Sequence, residues 1–447
     1  MHLNITYSAL AKAAEGQFTG PNPDKILESF TIDSRAVKQG IGFWVIKGQN
    51  HDAHTFVPQA IAAGATLIIG QTGRLEEAKA QGVNVIEVED TLKALQTFAV
   101  YHRLKNHIKI AAITGSNGKS TTKQMLLAIA SAADKTCANS GNFNNQIGVP
   151  LSLLEILPQD VYGVFELGAS HKGDIDEIAS IALPDVAVLT NVSAAHLEFF
   201  GDLETVYQTK TEIIKSLNSL GTLVYNIDDE LLRRLKTEFT GKAISYGFSK
   251  DADLRIEEGE EFSFTYKGAQ FYVPIKLERH NKLNAAAACG AAIAFGLFKD
   301  QIERGLQTFT PMPLRLEEHT KDGVNFILDC YNANPASMNN ALDILLTKPA
   351  PHIVVLGDMR ELGAHSRRYH EELGLKIAAS GIKTVFLAGK EMKAAFDVLS
   401  QQHGVMVKYC VNWQDFMPLL KQEVKKGGTV LIKASRALNF ENIFKEI

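Results

Sequence analysis

Ile108-Lys-Ile-Ala-Ala-Ile-Thr-Gly-Ser-Asn-Gly-Lys-Ser-Thr-Thr122 is the stretch that decides the fold. An apolar run ends at Ile113, a glycine-bearing turn follows, and a helical pattern runs from Lys123 to Ala133. Strand, glycine turn and helix in that order make a phosphate-binding loop, with backbone N–H groups of the turn and helix start pointing at an anion. Gly115 and Gly118 let the backbone approach phosphates closely. Lys119 adds a mobile full charge, and the Ser120 hydroxyl is placed to touch Mg²⁺. Ser116, Asn117 and Thr121 complete the loop. The strict G-x-x-x-x-G-K-[ST] pattern is not met, because its first glycine would fall at Ile113; the string here is T-G-x-N-G-K-S. A bare Gly-x-x-Gly-Lys-Ser also occurs on surface turns, so it is the flanking strand and helix that favour a nucleotide.

Working outward, βα alternation continues from about 108 to 312, with strands expected at 108–113, 161–165, 185–189 and 222–226 and helices at 175–181 and 205–217. This predicts a parallel sheet with helices on both faces. A hairpin patch spans 254–273, and a small-residue helix is expected over 284–295. The Pro311-Met-Pro313 break marks a boundary. Residues 313–447 repeat the alternation, with strands at 325–328, 353–356, 384–387, 405–408 and 429–432, as a second doubly wound, Rossmann-like domain. Ligands of such sheets bind beyond the carboxyl ends of the strands, where Asp329, Asp358, Gly389 and Lys433 fall. Residues 1–107 read as a small α/β domain with strands at 42–46, 65–69 and 83–88. The fold class is therefore α/β, in three domains.

At 447 residues, 45% hydrophobic and 21% charged, the chain has the composition of a globular protein with sizeable cores. A net charge of −4 without a basic block argues against nucleic acid as the main partner. The four cysteines, Cys137, Cys289, Cys330 and Cys410, form no C-x-x-C pair. No basic-then-apolar leader opens the chain, and the Ala285–Phe298 run is too short to cross a bilayer. A cytoplasmic protein without membrane insertion is expected.

A helix N-terminus supplies only about half a positive charge, so a bound triphosphate needs Lys119 and Mg²⁺ together. Ser120 is one expected metal ligand. Glu166, ending the run Val161–Phe165, is placed for a second, the alternative being a glutamate that caps the next helix. His196 lies just past the strand 185–189, at the same sheet edge as the phosphate loop; one of 13 histidines is more often structural. Lys210, on a helix, reads by spacing alone as a solvated lysine.

T-G-x-N-G-K-S, F-E-L-G around Glu166, A-H-L-E around His196, T-K-x-E-I around Lys210 and His280-Asn-Lys-Leu-Asn284 occur here in one order. With Asn142-Phe-Asn-Asn-Gln-Ile-Gly148, Asp329-Cys-Tyr-Asn-Ala-Asn-Pro335 and Leu356-Gly-Asp-Met-Arg-Glu-Leu-Gly363, the chain resembles the Mur ligases over essentially its whole length. The resemblance implies ATP-dependent joining of D-alanyl-D-alanine to a UDP-N-acetylmuramoyl tripeptide through an acyl phosphate. It implies that the N-terminal domain binds the UDP end through Ser34 and Arg35, and that Asn142 and Asn145 meet the muramoyl peptide; the alternative for these asparagines is a loop satisfying its own backbone. It further implies two Mg²⁺ ions and a CO₂-derived carbamate on Lys210, with His196 as co-ligand. Asn281 is expected by the adenine, Asn284 in a structural role, and Arg315 and Asp329 on phosphate and ribose. Asn332, Asn334, Lys433, Ser435 and Arg436 are candidates for the amine substrate. A monomer is expected. Open alternatives are a sibling ligase adding a diamino acid or a folylpolyglutamate-type ligase and, from another class, a P-loop kinase or nucleotide-gated binding module.

Overall fold

A computed structural model describes residues 3–48, 52–194 and 197–447. The strand Lys109–Thr114 lies inside a nine-stranded sheet whose spatial order is 269–276, 261–266, 254–256, 242–247, 222–226, 186–189, 109–114, 162–166 and 136–138. All neighbours pair in parallel except the last hairpin, where 261–266 runs antiparallel to both 254–256 and 269–276. Register places the site. Glu166 pairs with Ile113, and Leu189 pairs with Thr114, so the residues after both flanking strands emerge beside Gly115–Gly118. The strands are apolar on both faces because helices cover both.

One covering helix, Lys119–Ala133, packs against the alanine-rich helix Arg279–Phe295. The latter starts five residues before the sequence expectation at Asn284, which takes His280 and Asn281 into its first turn. The helix expected over 205–217 is an α-helix, Leu203–Thr211, tightened into a 3₁₀ turn over Glu212–Ser216.

The C-terminal unit has a six-stranded sheet in the order 317–321, 324–329, 429–433, 352–357, 384–388 and 406–410. The edge strand Glu317–Lys321 had no apolar run to betray it. It pairs antiparallel with Val324–Asp329 across a turn in which Asp322 and Gly323 both take positive φ, 51° and 78°, as a two-residue hairpin requires. The N-terminal unit has a five-stranded sheet in the order 17–19, 84–88, 67–71, 42–44 and 30–31, beside a two-stranded antiparallel pair of 5–6 and 26–27.

The cores are not equally separate. Helix Thr91–Lys105 puts Leu95, Phe98 and Ala99 into one continuous apolar cluster with Trp44 and Leu67 on the N-terminal side and with Val149, Leu153 and Ile178 on the central side. From the same helix, Arg103 donates to the Ala182 and Leu183 carbonyls, each at 3.2 Å, and to Asp185 at 3.1 Å. The C-terminal sheet instead buries two clusters of its own. Among the described residues no helix is long and apolar enough to cross a membrane.

Candidate active site

The loop after Thr114 is shaped by two close approaches. A Cβ at Gly115 would lie 2.0 Å from Thr190 Oγ1, and one at Gly118 would lie 2.2 Å from Asn284 Oδ1. Gly118 also has φ 81°, a left-handed conformation that L side chains resist. Asn284 thus braces the loop: its Nδ2 donates to Asn281 Oδ1 at 3.1 Å, and its Oδ1 accepts from Thr122 Oγ1 at 3.4 Å. On the other side the segment Thr190–Ser193 grips the loop. Asn117 N–H donates to Asn191 Oδ1 at 3.0 Å, Asn117 O accepts from Thr190 Oγ1 at 2.7 Å, and Asn117 Nδ2 donates to Ser193 Oγ at 2.9 Å. Ser116 Oγ donates to Ser193 O at 3.1 Å and accepts from Ser193 N–H at 2.9 Å. A turn tied this firmly spends its Ser116 and Asn117 N–H groups on Asn191 and holds those at the helix start, residues 118–121, in place for an anion.

Lys119 opens the helix and its ammonium donates to Gly115 O at 2.7 Å and Ser116 O at 3.1 Å. Burial pulls its pKa down and the nearby Glu166 carboxylate opposes that. Glu166 is 4% exposed at the end of its strand. Its Oε1 accepts from Asn144 Nδ2 at 2.9 Å, while Oε2 is buried without a hydrogen-bond partner among the described residues. One turn into the helix, the buried Lys123 donates to Asn139 O at 2.8 Å.

Lys210 is not a solvated helix-face lysine: it is 2% exposed. Its ammonium sits 5.4 Å from the centroid of the Phe200 ring. Burial, reinforced by the charge of Lys119, lowers its pKa to about 7, with Asp174 and Glu212 opposing. Those two acids are occupied elsewhere. Glu212 takes the Gly173 N–H at 2.9 Å and the Asp176 N–H at 3.2 Å, and Asp174 takes the Ser170 and His171 N–H groups at 2.8 and 2.7 Å. His196 lies outside the described residues.

The C-terminal unit enters the site at two points. Arg315 Nη2 donates to Ser120 Oγ at 2.9 Å, with the guanidinium 4.0 Å from the centroid of the Tyr331 ring. Its Nε is buried without a partner among the described residues. Asn334 caps the helix Pro335–Leu346 by accepting the Ser337 N–H at 2.9 Å, and its Nδ2 donates to Asn117 Oδ1 at 2.7 Å. Farther out, Glu198 N–H donates to Glu361 O at 3.1 Å, and Tyr369 packs on Leu197, Phe200 and Val206.

Other candidates stand apart from this centre. Asp329 and the fully buried Lys433 form an ion pair, and Lys433 also donates to Asn332 O at 2.9 Å. His280 faces that pair, with burial lowering its pKa to about 4. Asn332 Oδ1 accepts the Ala333 N–H at 2.8 Å and Ser435 Oγ accepts the Arg360 N–H at 3.0 Å, while Arg436 pairs with Glu441 at 2.6 Å. Arg35 is exposed and forked onto Asp33, and Ser34 opens the adjoining 3₁₀ turn. Asn145 Oδ1 accepts the Gly148 N–H at 2.9 Å, whereas Asn142 lies in the turn before it. Sequence reasoning passed over Asn139, Asn144 and Lys123, although Asn144 stands between the two asparagines chosen.

A magnesium ion on a phosphate loop takes a hydroxyl, one or two carboxylates and phosphate oxygens. The residues present fit it: Ser120 Oγ supplies the hydroxyl and the orphaned Glu166 Oε2 the carboxylate. Among the described residues no three His, Cys, Asp or Glu side chains gather to hold a metal.

Comparison with known proteins agrees with this architecture. Residues 27–103 match the family model described as Mur ligase family, catalytic domain; 113–292 match Mur ligase middle domain; 314–436 match Mur ligase, glutamate ligase domain. A UDP-N-acetylmuramoyl-tripeptide–D-alanyl-D-alanine ligase of Bacillus subtilis is 34% identical over 99% of this chain and 98% of its own. The crystal structure of MurF from Acinetobacter baumannii superposes with a TM-score of 0.91 at 29% identity, covering 100% of this chain and 99% of that one. MurF ligase from Thermotoga maritima in complex with ADP superposes at 0.82 and 29% identity, covering 93% and 96%.

Proposed function

The chain belongs to the Mur ligase family, and from that membership we propose that it joins D-alanyl-D-alanine to a UDP-N-acetylmuramoyl tripeptide with ATP hydrolysis, in the cytoplasmic synthesis of peptidoglycan precursors. The observation that carries this reading is similarity along the full chain to a ligase of that name. The site supplies the means.

ATP phosphates lie at the start of the helix Lys119–Ala133, on the N–H groups of residues 118–121 and the Lys119 ammonium, with Asn281 towards the base; Arg315 reaches in from the C-terminal unit to the phosphates, and Asp329, held in its ion pair with Lys433, is assigned to the ribose. Ser34 and Arg35 take the UDP end of the acceptor, and Asn142 and Asn145 its peptide. The amine substrate is assigned to the region of Asn332, Asn334, Lys433, Ser435 and Arg436.

The tripeptide carboxylate attacks the γ-phosphorus, releasing ADP and leaving an acyl phosphate. The free amine of D-alanyl-D-alanine then attacks the acyl carbon, and the tetrahedral intermediate collapses to amide and phosphate. The obstacle is charge. A carboxylate about 4 Å from a γ-phosphate bearing roughly two charges meets about 8 kcal/mol of repulsion at an effective dielectric of about 20. Lys119 and Arg315 offset part of it. Ser120 and Glu166 would hold one Mg²⁺, and Lys210, as a carbamate, would hold a second with His196; the ions supply the remaining positive charge. An amine whose pKa is about 7 is substantially neutral near neutral pH, and the neutral form is the one that takes up CO₂. Contact between the C-terminal unit and the loop excludes water from the acyl phosphate.

Phosphate release from ATP, measured with the UDP-muramoyl tripeptide and competing amines, tests the assignment. D-alanyl-D-alanine is expected to drive turnover, and neither a free diamino acid nor glutamate to replace it. Turnover with either of those in its place overturns the substrate, and a stable phosphorylated product overturns the ligase.

A further inference from the structure

Glu166 is held from several sides by residues that the reaction scheme does not use. Asn139 bridges its peptide group in both directions: Glu166 N–H donates to Asn139 Oδ1, and Asn139 Nδ2 donates to Glu166 O, each at 2.9 Å. The Asn139 carbonyl in turn accepts from the buried ammonium of Lys123 at 2.8 Å. These contacts fix the backbone and leave the carboxyl group free to rotate about its broad terminal torsion. Asn144 removes that freedom by donating Nδ2–H to Oε1 at 2.9 Å. With one oxygen engaged, the other is left buried and unpartnered among the described residues.

Room for the Asn144 amide comes from Gly168, two residues beyond Glu166. A Cβ there would stand 2.9 Å from Asn144 Cγ and Oδ1. Gly168 is not among the residues with positive φ, so its need for glycine is the space and not the backbone. Its N–H donates to Asn144 O at 2.8 Å.

We propose that Asn144 is a positioning residue for a divalent-cation site: by occupying Glu166 Oε1 it presents Oε2 as the ligand oxygen, and Gly168 is the glycine that admits it. This rests on the reading of Glu166 as a cation ligand, and the test separates the two. Partners that orient a metal ligand through its second atom are worth about 10- to 100-fold in metal affinity.

Mn²⁺ is titrated into the full-length protein saturated with a non-hydrolysable ATP analogue, and free Mn²⁺ is counted by electron paramagnetic resonance. Nucleotide affinity in EDTA and the thermal midpoint are measured alongside. Glu166→Gln is expected to weaken Mn²⁺ binding strongly. Asn144→Ala is expected to weaken it about 10- to 100-fold with metal-free nucleotide affinity unchanged, and Gly168→Ala to do the same by displacing the amide. If Glu166→Gln loses the ion but both other variants bind it like the parent, the positioning role is overturned and the ligand stands. Parental Mn²⁺ affinity in Glu166→Gln overturns the ligand itself. An equal loss of metal-free nucleotide affinity in Asn144→Ala makes the effect general loop damage and also overturns the proposal.

Discussion

Lys210 carries the sharpest residue-scale consequence. An unfolded lysine titrates near about 10.4, whereas burial lowers this one to about 7. Between those values the unfolded chain binds more protons, so the lysine's cost to stability falls as pH rises through that window and is greatest below it. In CO₂-free buffer, Lys210→Met is therefore expected to raise the urea midpoint most near about pH 6, with the advantage shrinking towards about pH 9. A gap independent of pH contradicts the burial argument. Nothing in the string Thr209-Lys-Thr-Glu212 announced this environment. Sequence spacing gave a surface lysine, and only the family resemblance pointed elsewhere, because burial at 2% is set by helix packing against Phe200 and its neighbours. Glu166 was legible for the opposite reason: the end of an apolar strand next to the phosphate loop fixes where its side chain must emerge. Asn144 was not, since three asparagines within four residues are locally equivalent until the loop folds.

At the scale of elements, the phosphate-loop helix and the helix Pro335–Leu346 meet end to end through Asn117 and Asn334. Asn334 does two jobs that substitution can separate. Its Oδ1 caps the C-terminal helix, a contact typically worth about 1 kcal/mol, and its Nδ2 reaches the loop of the central unit. Asn334→Asp keeps the cap and loses the donor; Asn334→Ala loses both. Both variants are expected to weaken ATP binding by roughly 5- to 10-fold, the worth of about one hydrogen bond, and only the alanine variant to lower thermal stability. Parental ATP affinity in Asn334→Asp, measured by calorimetry, contradicts a coupling through this contact. The periodic elements themselves were readable, because parallel strands buried on both faces give uninterrupted apolar runs. The unread ones were short or polar, as with Glu317–Lys321, whose run of polar and charged side chains fits an edge and leaves no hydrophobic signal.

For the whole molecule, the distribution of cores predicts how it comes apart. Helix Thr91–Lys105 welds the N-terminal and central units into one apolar cluster, whereas the C-terminal unit is self-contained and touches the rest through polar contacts and the small patch at Tyr369. Urea unfolding followed by far-UV circular dichroism should show two transitions, with the N-terminal and central units unfolding together. Mg·ATP should shift the C-terminal transition as well as the central one, since a ligand stabilises every unit it binds; a C-terminal transition blind to Mg·ATP contradicts a shared site. In the proposed function this arrangement brings a carboxylate against a phosphate and then keeps the product from water. The most direct measurement places ¹⁸O in the acceptor carboxylate and follows it by mass spectrometry through one round of ligation. Transfer of one labelled oxygen into the released phosphate is the predicted result, and unlabelled phosphate with intact amide product would contradict activation through an acyl phosphate.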